Sequence, residues 1–173
     1  MKTIKFILTL VILQVLFSAC SSVRVTSDYE SQTDFERYKT FAFYRTGIDQ
    51  VQISDIDKRR IMRSIETELT AKGFTTSKNP DVLISFFTKA RTQIDVYEDQ
   101  WRPFYFDPYY RNHVSQYTEG TLYIDVIDKE DKLLVWQGIG TGYLTKSLKR
   151  EKREAAISEF VKKILNKYPI KHL

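Results

Sequence analysis

The sequence predicts an α+β protein, with a mostly antiparallel sheet of about five strands and two amphipathic helices packed on one of its faces. Two segments repeat apolar residues at threes and fours, the period of a helix with one buried side. Between and around them, short stretches alternate apolar and polar residues or run apolar between turn residues, as strands do. Their order is strand, strand, helix, strand, strand, strand, helix, without a steady βαβ alternation.

The first strand is "VRVTSD" at 23–28, and the second is "KTFAFYR" at 39–45, with Phe41 and Phe43 on one side. Between them Asp34 can cap one helical turn, "DFERY", that brings Phe35 and Tyr38 down together and makes a short aromatic elbow. From Ile53 the period changes: Ile53, Ile56, Ile61, Ile65 and Leu69 describe a helix of about five turns, capped by Ser54 and stopped at Gly73. A turn at Asn79 and Pro80 then opens "NPDVLISFFTKA". Its Val82, Leu83, Ile84, Phe86 and Phe87 are apolar on both sides, so it belongs in the middle of the sheet with helices over one face.

"GTLYIDVIDKEDKLLVW" reads as a hairpin. Leu122, Ile124 and Val126 alternate with Tyr123, Asp125 and Ile127 before the charged turn "DKED", and Leu133, Val135 and Trp136 resume the extended pattern. Gly138, Gly140 and Gly142 share one side of the return strand. "GIGTG" does not open a helix and lacks the spacing of a dinucleotide fingerprint, so tight packing of a helix against bare backbone is its better reading. The last helix carries Ala156, Ile157, Phe160, Val161, Ile164 and Leu165 as its apolar stripe, and Pro169 ends it.

The start of the chain has a different character. Lys2 and Lys5 precede an apolar run from Phe6 to Phe17, followed by the small residues Ser18 and Ala19, the pattern of a secretory signal peptide. That run is shorter than the roughly 20 apolar residues a membrane-spanning helix needs. The boundary "LFSAC" resembles a bacterial lipobox, with Phe17 where the usual leucine stands; the resemblance implies cleavage before Cys20 and attachment of lipid to its thiol. Cys20 is the single cysteine, so the folded body is expected to hold no disulfide and to depend on packing alone. The expected organisation is a signal peptide at 1–19, a lipid-anchored tether at 20–26 and one domain at 27–170. Removing Lys2 and Lys5 with the signal brings the net charge from +5 to +3, an ordinary balance for a globular chain with 28% charged residues.

With the elements placed, "DYESQTDFERYKTFAFYR", the long helix ending in "AKGF", the "NPD" turn, "GTLYIDVIDKEDKLLVWQGIGTG" and the closing "AISEFVKKILNKYP" together resemble the DUF4136 family of bacterial lipoproteins. The resemblance spans nearly the whole mature chain. It implies a single envelope-bound α+β domain of undefined biochemical role, with no catalytic residues to carry over. Asp34, Phe35, Tyr38, Gly73, Pro80, Asp81, Gly120, Leu122, Asp125, Asp128, Trp136 and Gly138 bear the family pattern and read mostly as capping, turn and core positions. "SSVRV" after the cysteine has neither the aspartate that retains lipoproteins in the inner membrane nor an acidic surface-export run. By that resemblance the expected address is the outer membrane, facing the periplasm.

Chemistry is sparse. His113 stands in the least regular stretch and His172 near the C-terminus, so neither is held as a catalytic or metal-binding histidine must be. No metal-binding motif, paired-cysteine site or phosphate loop occurs, and no cofactor, metal or catalytic residue is assigned. The export signal disfavours nucleic acid more than the charge does, and no nucleic-acid partner is expected. The basic run Lys146, Lys149, Arg150, Lys152 and Arg153 is interleaved with Glu151 and Glu154, as on a solvated helix start. The densest feature is "WRPFYFDPYYRNH" at 101–113, from which Trp101, Phe104, Tyr105, Tyr109 and Tyr110 are the candidate partner-binding residues. The expected function is a non-enzymatic outer-membrane lipoprotein, tied to the membrane through Cys20, that binds an envelope protein or glycan. The alternative is an envelope glycan hydrolase with sugars stacked on these aromatics and an acid and base from Asp95, Glu98, Asp99 and Asp107.

Overall fold

The computed structural model describes residues 23–95, 115–143 and 149–169. In chain order these form β1 (Arg24–Tyr29), a 3₁₀ turn (Phe35–Arg37), β2 (Thr40–Phe43), α1 (Arg45–Asp49), α2 (Asp55–Ala71), β3 (Thr75–Thr76), β4 (Val82–Asp95), β5 (Ser115–Asp128), β6 (Leu134–Tyr143) and α3 (Arg150–Leu165). The α+β class is as expected, and the sheet has six strands in the order β1-β6-β5-β4-β2-β3.

The sheet is mostly antiparallel, as expected, with a parallel edge that makes it mixed. β1, β6, β5 and β4 pair antiparallel, whereas β2 pairs parallel to both β4 and β3. The reason is α2, which covers one face of the sheet and returns the chain to the end where β2 began, so that β4 enters in the same direction. One βαβ unit is thus set into an otherwise antiparallel sheet, and β1 and β2 stand in opposite halves of it. The short helix α1 carries no apolar repeat long enough to announce itself. It is anchored by Ile48, which is fully buried.

Local chemistry explains the ends of the elements. Ser54 Oγ accepts from Asp57 N at 3.2 Å and caps α2 as expected. At the other end Gly73, with φ +90°, takes the left-handed conformation; its N–H donates to Thr70 O and that of Phe74 to Leu69 O, both at 3.0 Å, which closes the helix and lays Phe74 on Leu69. Asp34 accepts from Glu36 N at 3.0 Å, and the turn it starts sets Phe35 edge-on to Tyr38. The Asp81 carboxylate accepts from Lys39 N at 2.9 Å and Thr40 N at 2.8 Å, tying the start of β2 to the start of β4. Asp128 does the same for the β5–β6 turn, accepting from Glu130 N, Asp131 N and Tyr38 OH and pairing with Arg37. Burial pushes its carboxyl up, but these donors outweigh that and hold it below its ordinary range.

The core lies between the sheet and the two long helices. Val82, Ile84 and Phe86 of β4 and Leu122, Ile124 and Val126 of β5 turn one way and meet Ile61, Ile65 and Leu69 of α2 and Ile157, Val161, Ile164 and Leu165 of α3. Each fully buried Ile, Leu or Phe contributes about 2 kcal/mol. The expected central strand is therefore central, but only one of its faces is closed: Leu83, Ser85 and Phe87 on the other remain half-exposed.

The three glycines of β6 work as close packing requires. A Cβ at Gly138 would stand 2.3 Å from the Trp136 ring and 2.4 Å from Ile164, and one at Gly140 2.7 Å from Ile164 and 2.8 Å from Phe160. α3 lies directly on this bare strip of backbone, in the space side chains would fill.

Candidate functional site

The residues singled out from sequence do not come together in the described structure. Cys20, the aromatic Trp101, Phe104, Tyr105, Tyr109 and Tyr110, His113, and the carboxylates Glu98, Asp99 and Asp107 lie outside the described residues. Asp95 is the last residue of β4, so the segment 96–114 joins the far ends of β4 and β5.

What the fold does assemble is the face of the sheet away from the two long helices, which α1 reaches only beside Ser85 among the described residues. Because strands alternate their side chains, the residues between the core positions all emerge there: Leu83, Ser85, Phe87 and Lys89 from β4, Thr121, Tyr123, Asp125 and Ile127 from β5, and Gln137, Ile139 and Thr141 from β6. Register sets their neighbours. Phe87 stands opposite Tyr123, and the two rings stack at 4.3 Å between centroids with only 6° between their planes. Lys89, one step further along β4, holds its ammonium 5.2 Å from the Tyr123 centroid and 5.9 Å from that of Phe87, within cation–π range of both.

Two residues from this pair along β5 stands Asp125, opposite Ser85 on one side and Gln137 on the other. Gln137 Nε2 donates to its Oδ1 at 2.8 Å. Burial among the neighbouring side chains raises the Asp125 carboxyl above its ordinary range, and the Gln137 hydrogen bond only partly opposes this. A half-buried carboxylate beside an amide, a hydroxyl and a stacked aromatic pair capped by an ammonium offers hydrogen bonds and flat apolar surface together. Such a face can hold a polar ligand with one flat side or the edge of a partner protein.

The pattern had placed Asp125 with the capping and core positions. Its neighbour across the strand explains the difference: the alternation that buries Ile124 and Val126 sends Asp125 out to the open side. Phe87 and Gln137 were also missed, because strand period tells which residues share a face but not which strands adjoin. The order β6-β5-β4 was the missing information.

A second cluster ties the helices together. Asp57, with a side chain 11% exposed, receives Arg153 Nη2 at 2.6 Å and Arg60 Nη1 at 2.9 Å. The Arg153 hydrogen bonds, helped by Arg60 and Ser54 against the cost of burial, bring its pKa down to about 2. This is a structural clamp between α2 and α3. Among the described residues no group of three or more His, Cys, Asp or Glu side chains is arranged to hold a metal ion.

A family model described as a domain of unknown function, DUF4136, matches residues 25–170, which takes in the sheet from the second residue of β1 onward and both long helices. The chain belongs to the DUF4136 family. No curated protein matches this DUF4136 chain. Among solved structures it is similar to a PDZ domain protein from Parabacteroides distasonis ATCC 8503, with 20% identity and a TM-score of 0.56 over 93% of this chain and 40% of that one. The DUF4136 chain thus spans two-fifths of that relative's length, and the likeness is one of fold. PelC dodecamers from Paraburkholderia phytofirmans, in two space groups, are similar at 13% identity over 83% of this chain and 94% of theirs, with TM-scores of 0.43 and 0.48.

Proposed function

We propose that this DUF4136 protein is a non-enzymatic lipoprotein of the outer membrane, anchored through lipid on Cys20 and facing the periplasm, that binds an envelope protein or glycan on the open face of its sheet. The observation that carries the binding role is that face: the side of a six-stranded sheet opposite the two long helices, reached among the described residues by α1 at Ser85, and bearing the Phe87–Tyr123 stack, Lys89, and the Asp125–Gln137 pair. The signal-like run and Cys20 support the anchor. The segment 96–114, with Trp101, Phe104, Tyr105, Tyr109 and Tyr110, joins the two strands that supply most of the face, so the aromatic residues singled out from sequence extend the same reading.

Two measurements test the proposal separately. Cys20→Ser is expected to abolish palmitate incorporation and to leave the protein uncleaved or soluble; undiminished labelling would remove the anchor. A photoreactive side chain placed at Thr121, in the middle of the open face, should capture one discrete component from native envelopes, and Phe87→Ala with Tyr123→Ala should abolish the adduct. The same probe at Glu159, on the outside of α3, serves as the reference. If both positions capture the same set of abundant proteins, the open face is not the binding surface.

A further inference from the structure

We propose that the end of the domain formed by the starts of β1, α2 and α3 is a basic face that rests on the anionic surface of the bilayer holding the anchor. The proposal rests on the Cys20 reading for its geometry and adds a second, electrostatic contact with the same membrane.

Topology brings these three starts together. β1 begins at Arg24, which pairs with Thr141 near the end of β6, on the same rung as Thr121 and Lys89. α3 begins at this end, because Phe160 lies against Gly140 and Gly142 on either side of that rung and Ile164 against Gly138 further down. α2 begins here too, since Asp57 meets Arg153 and Arg63 meets Glu154. The two long helices therefore run parallel, with their first turns side by side.

Distances along the strand direction then coincide. From Phe160 back to Arg150 α3 rises about 15 Å beyond the rung of Arg24. From Arg24 back to Cys20 is four residues, which extended span about 14 Å. A lipid on Cys20 thus reaches the level of the first turn of α3, while β4 and β5 continue six residues past the Arg24 rung, about 20 Å, so the basic face meets the membrane beside this hairpin arm. The opposite end, with the β5–β6 turn and the last turns of both helices, is held away from the membrane.

Charge divides along the same axis. Lys149, Arg150 and Lys152 at the start of α3 and Arg59 in the first turns of α2 are exposed, with Arg24 and Lys89 behind them. Of the described exposed carboxylates at this end, Asp55, Glu151 and Glu154 each lie within 4 Å of a basic side chain, and Asp49 stands beside Lys58, which donates to its backbone carbonyl. At the far end the exposed acids Asp28, Glu30, Asp34, Glu36, Glu130 and Asp131 balance the lysines around them.

The start of α3 also breaks a rule that the same protein obeys elsewhere. α2 has a serine cap and Asp55 and Asp57 in its first turn, which suits the positive end of a helix dipole. α3 has Lys149 at its cap, no side-chain cap hydrogen bond, and Arg150, Lys152 and Arg153 around the one acid of its first turn, Glu151. Cations there oppose the helix dipole, and an anionic surface reverses the sign of that interaction while facing the N–H groups of the first turn.

The test uses the chain from Ser21 onward, which keeps the whole core and has no lipid of its own. In flotation it is expected to bind vesicles containing phosphatidylglycerol and not vesicles of phosphatidylcholine alone, with binding lost at high salt. Lys149→Glu, Arg150→Glu and Lys152→Glu together should weaken that binding at least about tenfold. The urea midpoint should be unchanged or raised, since acids suit a helix start. Lys78→Glu with Lys132→Glu, at the far end, should leave binding unchanged. Equal binding to both vesicle types, or equal weakening by the two sets of reversals, would overturn the proposal. Because the protein tested carries no acyl chain, a failure of Cys20 acylation leaves these outcomes untouched and is read by palmitate labelling alone.

Discussion

Gly138→Val is expected to destabilise the domain by about 3 kcal/mol or more, a large part of what a domain of this size has. The physical reason is the absence of anywhere for the new atoms to go. A Cβ alone would meet the Trp136 ring at 2.3 Å and Ile164 at 2.4 Å, and both neighbours are fully buried. Valine adds two methyl groups to that contact, so α3 must lift from β6. Lifting it uncovers Phe160, Ile164 and Leu165, which α3 contributes to the core. Urea denaturation followed by circular dichroism should show a large drop in midpoint. Gly73→Ala is the matched control, since nothing lies within 4 Å of its added Cβ and only the φ of +90° opposes it. Its cost should stay near 1 kcal/mol. Equal midpoints for the two variants would show that α3 does not lie on the glycine strip.

Asp57→Asn is expected to cost about 2 kcal/mol at neutral pH, and the cost should disappear in acid. Asp57 has a folded pKa of about 2 against an ordinary 3.8, lowered chiefly by the Arg153 hydrogen bonds. A folded pKa below the unfolded one means that the stabilisation is complete above the unfolded value, near pH 4. It is lost as pH falls from about 4 towards 2. Wild-type and variant midpoints should therefore differ at pH 7 and converge near pH 2. Other carboxylates, Asp81 and Asp128 among them, are also held below their ordinary range by hydrogen bonds, and their protonation destabilises both proteins alike, so the difference between the two curves isolates Asp57. A gap that persists unchanged in acid would mean that Asp57 acts by its shape and not its charge. Arg153→Gln should reproduce part of the loss, because Arg60 still holds Asp57.

How much of this was legible beforehand varied with the range of the interaction. The α2 boundaries rest on Ser54 and Gly73, residues whose own backbone preferences mark a start and a stop, and the structure ends α2 at those two positions. The β5–β6 hairpin was equally plain, because its turn and both strands are contiguous. The parallel entry of β4 beside β2 was not, since nothing in either strand records the path of the helix between them. The stacked Phe87 and Tyr123 are 36 residues apart in sequence, each ordinary in its own strand. Only their register makes them one surface.

The basic run at 149–153 shows the same division. By sequence it is a charged helix start with acids interleaved, and its composition favours no membrane contact over plain solvation. In the fold it stands beside the first turns of α2 and at the end where β1 begins, four residues after Cys20.

From its sequence alone this protein's class, its helices, its main hairpin, its family likeness and the expectation of a lipid anchor could be read. All of these depend on residues close together in the chain, where backbone preference and hydrophobic period act directly. The order and direction of the strands, the open face with Asp125 at its centre, and the side-by-side starts of the helices were decided by tertiary structure. Pairing energies between distant segments depend on which faces meet, and a linear sequence carries that information only through the sum of its contacts.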